Sequence, residues 1–330
     1  MSRVLLLDRR DGEVEASVCE LDESRLPEGD VLLDVWYSGL NYKDALAITG
    51  RGKIIRGAWP FVPGIDLAGK VRASDSEAYK PGDLVIGTGW GLGESHWGGY
   101  AEVQRVDAAK LLPLPEGMSL EKAMLAGTAG LTAMLSVMEL EAHGVGPGKG
   151  EVLVTGASGG VGSFAVGLLH EAGYRVAAST GSPDAHDWLG RFGADRIIER
   201  EALAAGAARP LDSGEWAGAV DVVGGKTLEA LLSRLKRHGT AVACGLAGGH
   251  ALHTTVFPFI LRGVRLIGVD TNTCPVPVRR QAWAQLARWM TDDLVEHLLA
   301  DTIGLGDLPS YSQRLLAGEI RGRLLVDVRK

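Results

Sequence analysis

The sequence predicts an α/β protein of two domains, one irregular and mostly β, the other a doubly wound parallel sheet of six strands. Three observations carry that expectation. The chain has 330 residues, more than one hydrophobic core usually spans. Up to about Glu121 it is a series of short β-type runs cut by Gly, Pro and Asp. From Glu151 to Asp270 short apolar runs alternate with amphipathic helical stretches, the pattern of a parallel sheet covered on both faces.

The elements follow in order. "VLLDVWYSG", "DLAGKVRAS", "DLVIGTGW" and "YAEVQRV" supply the strands of the first domain. The next segment, "AMLAGTAGLTAMLSVMEL" from Ala123 to Leu140, is just long enough to be membrane-like, but Gly127, Thr128, Gly130, Thr132 and Ser136 interrupt it. It is predicted to be a buried helix. "EVLVTGA", "YRVAAS", "DRIIE", "GAVDVVG", "GTAVACG" and "VRLIGVD" are the six strands of the parallel sheet. In the tail, "RRQAWAQLARWMTDDLVEHLL" is expected as one helix and "GRLLVDVRK" as a closing strand that returns to the first domain. The expected domains are therefore residues 1–121 with 270–330, and 122–269.

Composition narrows the class. With 46% hydrophobic and 23% charged residues the chain is globular, and a formal net charge of −7 argues against a nucleic-acid partner, which requires clustered excess cations. Cys19, Cys244 and Cys274 have no paired spacing, and "MSRVLLLDRRDGE" is too short in apolar residues for a signal peptide. A cytoplasmic protein with no membrane partner is expected.

The strongest motif is "VLVTGASGGVGSFAVGLLHEAG", Val152 to Gly173: a β run, a glycine-rich turn, and an apolar helix. At Gly159 the missing side chain lets a pyrophosphate approach backbone N–H groups at the positive end of the helix, and Gly162 allows close packing of helix on strand. Ala157 stands where the commoner fingerprint has its first glycine. NAD-specific sites usually place a carboxylate at the tip of the second strand. Here Ser179, Thr180, Gly181 and Ser182 occupy that tip, so NADPH is the expected cofactor.

With "NYKDALAITG", "PFVPGIDLAGKV", "GDLVIG", "WGGYAE", "GTAGLTA", "TGASGGVG" and "GRLLVDV" in that order, the chain resembles the medium-chain dehydrogenase/reductase superfamily in its zinc-independent, quinone-oxidoreductase-like branch. Through "NYKDALAITGRGKIIR" and "CGLAGG" it more closely resembles the acrylyl-CoA reductase subfamily. The resemblance implies a GroES-like, mostly β catalytic domain and a Rossmann domain with the six-stranded sheet. It implies NADPH contacts at Tyr42, at Ser158, Gly159, Gly160 and Val161, at Thr180, Gly181 and Ser182, and at Arg200, Leu246, Ile260 and Thr271. It also implies a homodimer, formed through the edge strand "VRLIGVD". Close relatives carry arginine in place of Ser182; Arg200 is the alternative source of positive charge.

Zinc-dependent members need a cysteine near Asn41 and a Gly-His-Glu near Gly64. This chain has Asn41, Ile65 and Asp66 there, and no four-cysteine lobe, so no metal is expected. Hydride transfer then requires an electrophile already activated by conjugation, such as an α,β-unsaturated thioester or a quinone. Tyr42 and Asn41 are the candidate catalytic donors to a developing enolate oxygen. The competing reading has Asn41 fixing the loop and Tyr42 packing on the nicotinamide. Asp44 and Asp66 are expected to support or cap the loop, and His96 and Trp97 either line the substrate cleft or pack.

Arg51, Lys53 and Arg56 are the candidate substrate-binding residues. As a positive rim they would suit the phosphates of an acyl-CoA; as solvated charges they would serve only solubility. Three functions follow: reduction of a short 2-enoyl-CoA, acrylyl-CoA to propionyl-CoA above all; reduction of a quinone or enone; or NADPH binding without turnover.

Overall fold

The computed structural model describes residues 1–330. They form two units, residues 1–128 with 272–330, and residues 129–271. The first unit opens with a hairpin, β1 (Ser2–Arg10) and β2 (Glu13–Leu21). Its turn, Asp11-Gly12, holds φ of 51° and 88°, the left-handed pair that matches strand twist and that Asp-Gly supplies at low cost. There follow β3 (Val31–Gly39), helix α1 (Tyr42–Ile48), β4 (Asp66–Ser74), β5 (Leu84–Thr88), β6 (Val103–Val106) and β7 (Leu112–Pro113). The membrane-like stretch is the helix α2 (Leu120–Ala142), long and apolar enough to span a bilayer but mostly buried in the protein. It is broken at Gly127, where φ is 49° and ψ −150°.

Residues 129–271 contain β8 (Glu151–Thr155), β9 (Arg175–Thr180), β10 (Arg196–Glu199), β11 (Trp216–Asp221), β12 (Leu235–Ala243) and β13 (Arg265–Gly268). These pair in parallel in the order β10-β9-β8-β11-β12-β13. Val152, Leu153 and Val154 are fully buried, as a strand covered on both faces requires. Helix α3 (Gly160–Glu171) leaves the turn after β8. The strand order reverses between β8 and β11, the switch point outside which open α/β sheets bind ligands.

The chain then returns to the first unit through β14 (Leu299–Ile303) and β15 (Arg323–Asp327). The seven-stranded sheet runs β14-β15-β3-β4-β5-β7, with β6 also on β3. The closing strand thus lies on β3, Leu325 opposite Gly39 and Val326 opposite Ser38. Leu33, Leu67, Val85, Tyr100 and Val326 share one core there.

Two expectations change. The tail helix is two helices, Val276–Trp289 and Asp292–Leu298, because the Thr291 hydroxyl accepts the N–H of Leu294 and starts a second helix in place of continuing the first. The fifth parallel strand begins at Leu235, before the apolar run that signals it, because Trp216 already pairs with Leu235 before the register shifts.

Candidate active site

In residues 129–271 the turn after β8 is shaped by its glycines. A Cβ on Gly162 would stand 2.2 Å from the Gly156 carbonyl oxygen, so only glycine lets α3 pack this closely on the turn. Beside Gly159 an added Cβ would meet nothing nearer than that same oxygen at 3.4 Å, which leaves the helix start open to a ligand. The Thr180 hydroxyl lies 3.0 Å from Ser158 Oγ and accepts the Ser182 N–H at 3.1 Å, tying the turn to the tip of β9. Arg200 donates its backbone N–H to the Thr180 carbonyl at 3.1 Å. Its guanidinium lies against Gly181, where an added Cβ would be 2.2 Å from Cζ. The fold therefore collects Ser158, Thr180, Gly181, Ser182 and Arg200 in one place. Hydroxyls, open backbone N–H groups and one guanidinium fit a dinucleotide with an extra phosphate. The adjacent carboxylate, Glu199, faces His186 at 3.6 Å.

Leu246 is exposed and, with Ala243, Cys244, Gly268 and Asp270 among others, lines a hollow of about 400 Å³ at the ends of β12 and β13. Thr271 is buried, its hydroxyl 2.7 Å from that of Thr132. Ile260 is not part of the hollow; it stands exposed on the helix Phe257–Arg262 with Phe257 and Leu261. Sequence reasoning missed Asp221. Its buried carboxylate accepts the Thr155 hydroxyl at 2.7 Å and the Gly224 N–H at 2.8 Å, and its carbonyl accepts the Cys244 N–H at 2.9 Å. These bonds fix the ends of β8, β11 and β12. Burial pushes the Cys244 thiol up to about 12, so it carries almost no thiolate at neutral pH.

In the other unit, Asn41 starts α1. Its backbone N–H donates to Asp44 Oδ2 at 3.1 Å, and its Nδ2 donates to Asp44 Oδ2 at 3.1 Å and to Asp66 Oδ2 at 2.8 Å. This orientation turns the amide hydrogens, and not its oxygen, towards the two carboxylates. Asn41 is 8% exposed with both amide hydrogens engaged, whereas Tyr42 is 48% exposed and its phenol makes no hydrogen bond to the protein. The geometry leaves Tyr42 as the open donor and uses Asn41 to hold the loop.

Asp44 also accepts the Ile65 N–H at 2.9 Å. Asp66 accepts the Thr128 hydroxyl at 2.5 Å and the Thr128 N–H at 3.0 Å. At Gly127 an added Cβ would lie 2.4 Å from Asp66 Oδ2, so the break in α2 needs glycine for space as well as for its φ. Buried Arg323 donates to the carbonyls of Leu125 at 2.9 Å and Leu40 at 3.3 Å. Burial, then the charge of Asp66, raises Asp44 to about 7 against its hydrogen bonds from Asn41 and Ile65. Burial likewise raises Asp66 and lowers Arg323. An amide, an apolar Ile65 and two carboxylates already bonded within the protein do not fit a catalytic zinc, and no three His, Cys, Asp or Glu side chains gather to hold a metal.

His96 lies with Nδ1 2.9 Å from the Trp97 carbonyl and Nε2 3.2 Å from the Glu28 carbonyl, and Trp97 packs on Val4, Leu21 and Val62. Both serve packing. Among the cations, Lys43 Nζ is 2.7 Å from Glu94 Oε1 and Arg56 Nη2 3.6 Å from Glu94 Oε2, while Arg51 and Lys53 are exposed with no ion pair. Nothing in the sequence signals Glu94, because it lies in a separate loop from the cations it meets.

Residues 27–116 match the model of the alcohol dehydrogenase GroES-like domain, and residues 160–292 that of the zinc-binding dehydrogenases. The chain is 51% identical to the probable acrylyl-CoA reductase AcuI of Escherichia coli, over 99% of each chain. It is 48% identical to the acrylyl-CoA reductase AcuI of Ruegeria pomeroyi, over 97% of each. Among solved structures, the YhdH oxidoreductase of Salmonella enterica in complex with NADP superposes with a TM-score of 0.96 at 50% identity over 99% of both chains.

Proposed function

We propose, since this chain belongs to the acrylyl-CoA reductase subfamily of the zinc-independent medium-chain dehydrogenase/reductases, that it reduces acrylyl-CoA to propionyl-CoA with NADPH. The observation that carries this reading is the identity to the two AcuI proteins, 51% over 99% of both chains to the probable acrylyl-CoA reductase and 48% over 97% of both chains to the acrylyl-CoA reductase. The open phenol of Tyr42 and the unpaired Arg51 and Lys53 support it.

Ser158, Gly159, Gly160 and Val161 would hold the cofactor pyrophosphate, Gly160 and Val161 through the N–H groups of the first helical turn and Gly159 through the space its missing side chain leaves, and Thr180, Gly181, Ser182 and Arg200 would hold its 2′-phosphate. Leu246, Ile260, Thr271 and Tyr42 are proposed as further cofactor contacts. When bound, NADPH supplies a hydride to Cβ of the substrate. Tyr42 donates to the thioester oxygen as it gains enolate charge, and a proton completes Cα. Asn41 keeps Tyr42 in place through Asp44 and Asp66. No step uses a metal, because the donor set at position 41 does not fit one. Arg51, Lys53 and Arg56 meet the phosphates of CoA.

A cytoplasmic homodimer is the assembly we propose. Strand β13 ends the six-stranded sheet with one edge unpaired, and Val256, Phe257, Ile260 and Leu261 are exposed in the same unit. The three cysteines are free, as in a reducing compartment. Side-by-side kinetics test the function: kcat/KM for acrylyl-CoA should exceed that for 1,4-benzoquinone. The reverse order would make the protein a quinone reductase, and no oxidation of NADPH with either acceptor would make it a binding protein.

A further inference from the structure

We infer that Glu94 is a positioning residue that ties the turn carrying Tyr42 to the cationic loop Arg51–Arg56, so that capture of a phosphate-bearing thioester and placement of the phenol are fixed by one side chain. The inference rests on the function proposed above and deepens it.

Residue 94 receives that loop twice. Its carbonyl oxygen accepts the N–H of Arg56 at 2.7 Å and of Gly57 at 3.2 Å. Its carboxylate divides between Lys43, the neighbour of Tyr42 on the first turn of α1, at 2.7 Å, and Arg56 at 3.6 Å. Glu94 is itself enclosed and held by the backbone around it. It lies 4% exposed, its N–H donates to the Gly91 carbonyl at 3.1 Å, and the preceding Gly93 has φ 69° with no room for a side chain, since a Cβ there would be 2.7 Å from the Gly64 carbonyl carbon. The loop is pinned at its other face too, for a Cβ on Gly57 would stand 2.6 Å from the Phe61 ring.

A carboxylate this buried must keep a cation, because an uncompensated charge away from water is strongly unfavourable. The two cations are unequal. Lys43 makes the short contact and is 40% exposed; Arg56 makes the long one and is 72% exposed. An anionic ligand can therefore draw Arg56 away while Lys43 continues to compensate Glu94. The tie to the Tyr42 turn survives substrate capture, and Arg56 is the member of the loop that exchanges partners.

The test uses the full-length protein with NADPH and two substrates, acrylyl-CoA and the acrylyl thioester of N-acetylcysteamine, which has no phosphates. Glu94→Gln should lower kcat about tenfold on both substrates, since small misplacements of a catalytic group are costly, and lower KM only for the CoA ester, since Arg56 no longer has a carboxylate to leave. Combined with Tyr42→Phe, it should lower kcat no further, because two residues acting through one group are not additive. Lys43→Met, which cuts the same tie and leaves Arg56 on Glu94, should reproduce the kcat loss and serves if Glu94→Gln does not fold. An unchanged kcat in both variants, or losses that add to that of Tyr42→Phe, would overturn the inference. A Tyr42→Phe variant with normal kcat would overturn it as well. Failure of the wild type to reduce either thioester would instead strike the proposed function.

Discussion

The guanidinium of Arg200 occupies the space that a side chain at Gly181 would fill, 2.2 Å from the position of such a Cβ. The cation that Ser182 does not supply is thereby brought to the strand tip from the end of the next strand. Arg200→Ala should lower kcat/KM for NADPH about tenfold and leave NADH nearly unchanged, because one charge-assisted contact to phosphate is lost. Gly181→Ala should act in the same direction by displacing the guanidinium. Equal losses with both cofactors would detach Arg200 from the 2′-phosphate.

The same geometry locates a cofactor switch. Thr180 is buried with its hydroxyl bonded to Ser158 and Ser182, so a carboxylate there would disturb the fold before it met a ribose. Ser182 is half-buried at the edge of the tip. Ser182→Asp should shift preference towards NADH, while Thr180→Asp should lower the melting temperature. Competition binding of NADPH and NADH to the two variants checks this.

Tyr42→Phe should lower kcat by about 10- to 100-fold on acrylyl-CoA, the loss of one donor to a developing oxyanion. Asn41→Ala should lower both kcat and stability, since it leaves the Asp44 and Asp66 carboxylates facing each other without the amide that bridges them. A stable Asn41→Ala variant of normal kcat would return the loop-holding role to other residues.

The buried pair also sets a pH dependence. Asp44 is raised from 3.8 to about 7, so the folded state holds its proton more tightly than the unfolded state does. Its contribution to stability is full below about pH 4 and is lost as pH rises towards about 7. Carboxylates lowered in the folded protein, Asp292 and Asp301 among them, lose their contribution below that window, as pH falls. Melting temperature should therefore fall between pH 5 and pH 7 more steeply for the wild type than for Asp44→Asn. Parallel curves would assign the proton elsewhere.

Local signals made much of this legible. Val152–Gly173 declared a strand, a glycine turn and a helix because each depends on residues adjacent in sequence, and Ser179–Ser182 at the next strand's tip pointed to NADPH by lacking a carboxylate. What the sequence hid was made by contacts between distant segments. Glu94 meets Lys43 and Arg56 across two loops, Asp66 meets Thr128 at a helix break, and no spacing rule records either. Asn41 shows the limit most plainly: in the sequence its amide reads equally as a donor to substrate or as a residue that fixes the loop, and only the fold brings up the two buried carboxylates that hold both hydrogens.

The unequal pairing of the loop cations gives the last prediction. Arg51 and Lys53 are exposed with no ion pair, so each is available to a phosphate with little to give up, whereas Arg56 must leave Glu94 first. Arg51→Ala and Lys53→Ala should each raise KM for acrylyl-CoA several-fold with kcat unchanged, because contacts remote from the reacting carbons bind ground and transition states alike. Arg56→Ala should raise it less, since its contact with phosphate is offset by the one it breaks. All three effects should shrink as salt rises from about 0.05 to 0.5 M, where screening shortens the reach of exposed charges to a few ångströms. They should vanish for a thioester without phosphates at any salt. A KM for acrylyl-CoA indifferent to all three substitutions would leave the cations as solvated surface charge and move the site of CoA recognition elsewhere on the chain.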